Sequence, residues 1–165
     1  MAQTIEVLSF GPPDERSLAA ASLLLATTTE PGVDDAQYPP EELEGFVEDI
    51  RDFATCYGLF EDDSLLGAAT VKHGLEPRMG LEGGTEIDAL AITPDRRGEG
   101  LGRVMLLHIA QAAIDGGDSH MALYSLTDRA GRFYEGMGFS QVDPKTKRMV
   151  ADPSDVLRNG QRSGV

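Results

Sequence analysis

The chain has 165 residues, 41% of them hydrophobic, which is enough for one substantial core, and its 28 acidic against 14 basic residues give a formal net charge of −14. That balance disfavours nucleic acid, whose phosphates it would repel, and the single cysteine, Cys56, excludes an internal disulfide and a Cys metal cluster. The longest apolar run, 18–26, is much shorter than a membrane span and the N-terminus lacks a basic start, so a soluble, cytoplasmic protein is expected, with no membrane partner.

Residues 5–10 read as a first strand and 13–29 as a helix, with Pro13 early and Asp14 and Glu15 in its first turn. A Pro- and Asp-bearing loop over 30–40 leads to a second helix, 41–53, with Leu43, Phe46, Val47 and Ile50 on one face. Residues 55–60 and 65–73 read as a hairpin turning at Asp62-Asp63-Ser64, which puts Cys56 in a strand as a buried bystander. A loop over 74–84 precedes a strand over 85–93 that ends Leu90, Ala91, Ile92, Thr93, Pro94. Glu86 and Asp88 share one face of that strand, with Cα atoms about 7 Å apart. Like charges at that range, partly desolvated, raise one pKa toward neutrality, as suits a general base. The alternative is that both simply line a cleft as solvated charge.

A helix follows over 101–115, then a strand over 120–127 and a helix from Asp128. In that helix Ala130, Phe133, Tyr134 and Met137 recur at helical spacing, so one face packs inward, and Gly136 and Gly138 end it. A short strand pair is expected across 143–146 and 148–151. His73, His108 and His120 are far apart without ligand spacing and read as structural or surface residues, so no metal site is expected. The order describes one alternating α/β domain over 1–152, followed by a polar, flexible tail over 153–165.

The most informative stretch joins the strand to the helix at 101–115. It reads Arg96, Arg97, Gly98, Glu99, Gly100, Leu101, Gly102, Arg103. Glycines at alternate positions let the backbone turn tightly with its N–H groups outward, and the helix start adds unpaired donors and the positive end of its dipole. A phosphate or pyrophosphate is the natural guest. The dinucleotide fingerprint fails on counting, because Arg103 or Met105 falls where its third glycine belongs, and no Gly-Lys-Ser/Thr P-loop occurs.

What remains is Arg-x-x-Gly-x-Gly from Arg97 to Gly102 at a strand-to-helix junction, and here the chain resembles the GNAT superfamily of acyl-CoA-dependent N-acetyltransferases. Residues 120–139 resemble that family's other block: a strand, a helix with Ala130 and the Phe133-Tyr134 pair, and a closing Gly138-Phe139. The two blocks cover about a third of the chain. The resemblance implies a mixed, mostly antiparallel central sheet flanked by helices. It further implies an enzyme that moves the acetyl group of acetyl-CoA, its co-substrate, to a primary amine by direct attack in a ternary complex, without a metal.

By the same resemblance Arg97, Gly98, Glu99, Gly100, Leu101, Gly102 and Arg103 hold the pyrophosphate, and the backbone of Leu90, Ala91 and Ile92 holds the pantetheine and carbonyl. Tyr134 serves the departing thiolate. Glu86 takes the place of the family's glutamate base, with Asp88 or ordered water as alternatives. Thr127 stands where the family often has Asn; its hydroxyl can cap the helix or bond the cofactor, with Arg129 beside it on the cofactor side and Asp128 as another cap. The region 41–53 borders the acceptor, so that Asp34, Asp35, Glu41, Glu42 and Glu44 face an amine, and the loop 74–84 shapes the substrate mouth. The acidic balance favours a small cationic amine or a peptide amine over the RNA of the family's toxins, unless it serves solubility or salt adaptation alone. A CoA-binding sensor without acceptor chemistry is the competing reading, and a homodimer is left open.

Overall fold

The computed structural model describes residues 3–8, 15–29, 45, 48, 54–75, 84–125, 127–143 and 145–163. These form seven strands, β1 (Gln3–Leu8), β2 (Thr55–Glu61), β3 (Ser64–Leu75), β4 (Gly84–Ile92), β5 (Met121–Tyr124), β6 (Ser140–Asp143) and β7 (Arg148–Ala151). Four helices accompany them, α1 (Glu15–Thr29), α2 (Leu101–Asp115), α3 (Asp128–Gly136) and α4 (Pro153–Ser163). The strand order is β1-β2-β3-β4-β5-β7-β6. β4 and β5 are parallel, as the intervening α2 permits, while β1–β2, β2–β3, β5–β7 and β6–β7 are antiparallel. This is the mixed, mostly antiparallel α/β architecture expected from the sequence. The expected helix 41–53, apart from the helical Gly45 and Glu48, lies outside the described residues, as do Asp34, Asp35, Glu41, Glu42 and Glu44 and most of the loop 74–84.

The chain forms two compact units, one of Met1–Val71 with Ala89–Met105, the other of Lys72–Asp88 with Leu106–Val165. In the first, β2 and β3 are buried on both faces, which suits their near-continuous apolar runs, and they turn at Asp62-Asp63, with Asp62 at φ 55°. Ala20, Ala21 and Leu24 of α1 pack into a core with Leu8, Cys56, Phe60, Ala68 and Ala91. Arg16 lies 3.8 Å over the Phe60 ring and pairs with Glu6 at 2.8 Å. Cys56 is the buried strand cysteine anticipated from its position, and burial pushes its thiol up to about 12.

In the second unit Leu106, Ile109, Ala110 and Ala113 of α2 are buried, as are Met121, Leu123, Met149 and Val156. Two expectations are corrected here. The strand placed at 143–146 is β6 at Ser140–Asp143, because Asp143 instead opens a turn: its carboxylate accepts from Lys145 N at 2.9 Å and its carbonyl from Lys147 N at 2.9 Å. Residues 153–163, expected to be a frayed tail, form α4. Asp152 caps it, accepting from Ser154 N at 2.8 Å, and Pro153 occupies the first helical position. Although mostly polar, α4 buries Val156 and brings Gly160 against Leu107 of α2, where an added Cβ would lie 2.3 Å from Leu107 Cδ2. Phe133, expected to face inward, is 36% exposed; it lies beside the buried Tyr134–Met137 stripe of α3 and leans on the Tyr134 ring.

Gly160→Ala is expected to destabilise the protein by about 1–3 kcal/mol, read as a lower midpoint in urea unfolding, because a methyl group has no room against Leu107. The Cys56 thiol is expected to resist thiol reagents at pH 8 until the protein unfolds. Since its pKa is raised on folding, its contribution is whole below the unfolded thiol's pKa near 9 and is lost as pH rises from there through about 12. Unfolding midpoints measured over that range should therefore fall more steeply for wild type than for Cys56→Ala.

Candidate active site

The first unit contributes the loop between β4 and α2. Thr93 N donates to Leu66 O at 2.8 Å, and Pro94–Arg96 form one 3-10 turn closed by Arg96 N to Thr93 O at 3.0 Å. Arg96 then anchors the loop. Its two Nη atoms reach Glu61 Oε1 and Oε2 at 3.3 Å each, and its Nε reaches Glu99 Oε2 at 2.8 Å. These bonds hold the guanidinium above its ordinary pKa and the Glu61 carboxyl below its own. Glu99, one of the expected cofactor residues, has its side chain turned to Arg96, so its contribution to an anion is its backbone N–H.

Gly98 and Gly100 adopt φ of 82° and 79°, the left-handed region that only glycine enters without strain. The loop thus alternates in hand, the arrangement in which successive N–H groups converge on one concavity. Val104 N donates to Gly100 O at 3.2 Å as the first bond of α2, and the helix amides before it have no intrahelical acceptor. Arg97 lies back along the strand, donating from Nε to Ile92 O at 3.2 Å, while Arg103 lies over Gly100. Leu101 is buried and fixes the helix start; Gly102 follows it inside the first turn. A loop of glycine amides with two arginines in the same stretch has the chemistry a pyrophosphate needs. Leu90, Ala91 and Ile92 form the end of β4 leading into it.

The second unit holds the other expected residues. The ladder of β4 with β5 pairs Thr85 with Met121 and Glu86 with Ala122, and β4 continues past it. Glu86 and Asp88 share a face as expected, but each has a cation of its own. Arg148 Nη1 donates to Glu86 Oε1 at 2.7 Å, and Lys72 Nζ lies 3.2 Å from Asp88 Oδ2. The Asp88 carboxyl is raised, chiefly by burial, with Lys72 opposing and Glu86 adding a little. The Arg148 guanidinium also lies 4.9 Å from the centre of the Tyr124 ring. Sequence reasoning missed Lys72, Tyr124 and Arg148. Only the pairing of Tyr124 with Arg148 across β5 and β7 reveals this group, and that register has no local signature.

Thr127 does cap α3: its Oγ1 accepts from Ala130 N at 3.1 Å. Arg129, in the first turn, is exposed. Tyr134 is only 9% exposed, its ring 5.1 Å from that of Phe133 and 5.5 Å from that of Phe139. Burial pushes its hydroxyl up to about 12, so it keeps its proton at any working pH. Beside α3, a cavity of about 260 Å³ is lined by Ser125, Thr127, Gly131, Gln141 and Met149 together with charged Asp128, Arg132, Glu135 and Lys147. No cluster of His, Cys, Asp and Glu able to hold a metal occurs among the described residues, and none of their helices is long and apolar enough to cross a membrane.

Solved structures with this fold are numerous. A protein of Pyrococcus horikoshii OT3 superposes with a TM-score of 0.70 at 15% identity, over 92% of this chain and 98% of its own. The PaiA N-acetyltransferase of Thermoplasma acidophilum, in complex with coenzyme A, gives 0.63 at 18% identity over 92% and 99%. A Tyr-to-Phe mutant of the AtaT toxin, bound to the C-terminus of the antitoxin AtaR and acetyl-CoA, gives 0.62 at 18% over 94% and 96%. Among curated proteins none matches. Residues 20–139, well over half of the chain, match the Acetyltransferase (GNAT) family. The chain belongs to that family and is an acyl-CoA-dependent acetyltransferase, with acetyl-CoA as its donor.

Proposed function

We propose that the acceptor is a primary amine, of a small molecule or a peptide, which attacks the acetyl-CoA thioester directly. The observation that carries this reading is Tyr134, a hydroxyl kept protonated by burial on a helix whose start is fixed by the Thr127 cap. A thioester is already activated, so what the protein must supply is a neutral amine, stabilisation of the charge that builds on the carbonyl oxygen, and a donor for the sulfur. No covalent enzyme intermediate is required.

The residues divide this work as follows. The amides of Gly98 to Arg103, with Arg97 and Arg103, hold the pyrophosphate. The backbone of Leu90, Ala91 and Ile92 holds the pantetheine and meets the carbonyl oxygen. The acceptor ammonium gives one proton to Asp88, to Glu86 or to water. As the new N–C bond forms and the C–S bond breaks, the nitrogen gives up a second proton. Tyr134 donates a hydrogen bond to the sulfur, which finishes as a thiol. The products are an N-acetyl amide, CoA and one proton released to solvent. Of the two carboxylates we favour Asp88 for the base role, because burial raises its pKa from the usual aspartate value and its cation is a flexible lysine at 3.2 Å. Glu86 is paired with Arg148 at 2.7 Å and serves better to attract an ammonium. The net charge of −14 supports an acceptor other than nucleic acid.

Tyr134→Phe is expected to lower kcat about 10- to 1000-fold while leaving the Kd for acetyl-CoA within about 3-fold, measured by thiol release and calorimetry. A mutant that turns over at the wild-type rate would remove Tyr134 from the reaction. Gly100→Ala is expected to weaken CoA binding at least about 10-fold in the same calorimetry, since a side chain at φ 79° forces the cradle out of its alternating hand and meets Arg103 at 3.4 Å.

A further inference from the structure

One face of β4 and its neighbours in the second unit carries an alternation of charge that the family reaction does not require. Glu86 pairs in register with Ala122, and Tyr124 lies two residues further along β5, so Glu86 and Tyr124 point the same way. Tyr124 pairs with Arg148 on β7, which brings the guanidinium to the same face. Asp88 follows Glu86 at the next position of that face, and Lys72 pairs with it from β3. The opposite parity, Thr85, Ile87, Met121 and Leu123, is buried. The surface therefore presents Lys72, Asp88, Glu86, Arg148 and an aromatic ring that is 48% exposed.

A polycation gains little here, because both carboxylates are already matched, at 2.7 and 3.2 Å, and it would have to displace Arg148 or Lys72. A molecule carrying both charges is different. Its ammonium can settle beside Glu86 and its carboxylate beside Arg148, and every charge then keeps an opposite neighbour. The guanidinium is equipped for this. It has five N–H donors in a planar fork suited to carboxylates, its contact with Glu86 uses Nη1, and Tyr124, whose ring centre is 4.9 Å away, also hydrogen-bonds it. A zwitterion is also neutral as a whole, so the acidic surface does not repel it as it would a plain carboxylic acid.

We infer that Arg148, held by Glu86 and Tyr124, binds the carboxylate of an acceptor whose amino group sits on the neighbouring carbon, so that the acceptor is an amino acid or an amine built like one. This rests on the reading of an amine acceptor approached from the Glu86 face. Arg148 is then a specificity residue, and the acetylated product keeps its carboxylate.

The test is thiol release from acetyl-CoA by the wild-type protein with matched acceptors: phenylalanine against phenethylamine, lysine against cadaverine, and each amino acid against its amide. The expected result is a kcat/KM at least about 10-fold higher for the amino acid in each set, from the strength of a charge-assisted hydrogen bond. Arg148→Gln should reduce that ratio to less than about 3-fold by raising KM for the amino acid, and Arg148→Lys should restore part of it. If free amines and amides turn over as well as amino acids in the wild type, the carboxylate site is overturned while amine acetylation stands. If no amine of either kind turns over although calorimetry still shows CoA binding, both readings fall together. The wild-type comparison decides the matter even where a variant at position 148 does not fold.

Discussion

The chemistry of this face depends on the register of β4. A slip by one residue would turn Glu86 and Asp88 into the core and expose Thr85 and Ile87. What forbids it is Thr85, only 1% exposed. Its backbone N–H donates to His120 O at 2.9 Å and its hydroxyl to Asp118 Oδ2 at 2.5 Å, while His73 Nδ1 lies 2.9 Å from the same hydroxyl. Gly74 N adds a fourth contact, to Asp118 at 3.3 Å. A buried hydroxyl with these partners cannot move one place along the ladder without leaving a buried carboxylate short of its donors. His73, which the sequence left as structural or surface, is thus part of what keeps two carboxylates facing outward.

The loop is anchored by a comparable arrangement in the first unit. A phosphate-binding loop needs its cations aimed at the ligand and its backbone held still, and these demands conflict if the same arginines serve both. Arg96 pairs with Glu61 and Glu99, so its guanidinium serves the loop's backbone rather than a ligand. An acidic residue within an anion-binding loop looks misplaced in the sequence. It makes sense once its carboxylate is seen on Arg96.

The legible parts of the sequence were those whose signals are local. The glycine spacing from Gly98 to Gly102, the Asp62-Asp63 turn, the parity of Glu86 and Asp88 and the Thr127 cap are all decided within a few residues of chain. α4 carried a local signal too, Asp152 followed by Pro153, but its polar composition hid the burial of Pro153, Val156 and Gly160, the last lying against Leu107 of α2. The ion pairs on the β4 face are of another kind. Glu86 and Arg148 stand 62 residues apart, and their meeting depends on β5 lying between β4 and β7 in one specific register. The parity of Glu86 and Asp88 pointed to two neighbouring carboxylates, one a base or both solvated charge lining a cleft. Tertiary pairing makes that face one of alternating charge.

The same burial that keeps the Tyr134 hydroxyl protonated also limits what it could donate in the proposed reaction. A thiol leaves as a thiolate with a pKa near 8.5, whereas the Tyr134 hydroxyl is pushed up to about 12. Complete transfer of the phenolic proton to the sulfur would be uphill by on the order of 5 kcal/mol, so in the proposed reaction Tyr134 would act as a hydrogen-bond donor that keeps its proton. The proton that ends on the thiol must come from a stronger acid, and the acceptor nitrogen becomes one as its bond to the carbonyl carbon forms. On that proposal the buried tyrosine would not need to be reprotonated through a closed core, and its poor exposure would cost the cycle nothing.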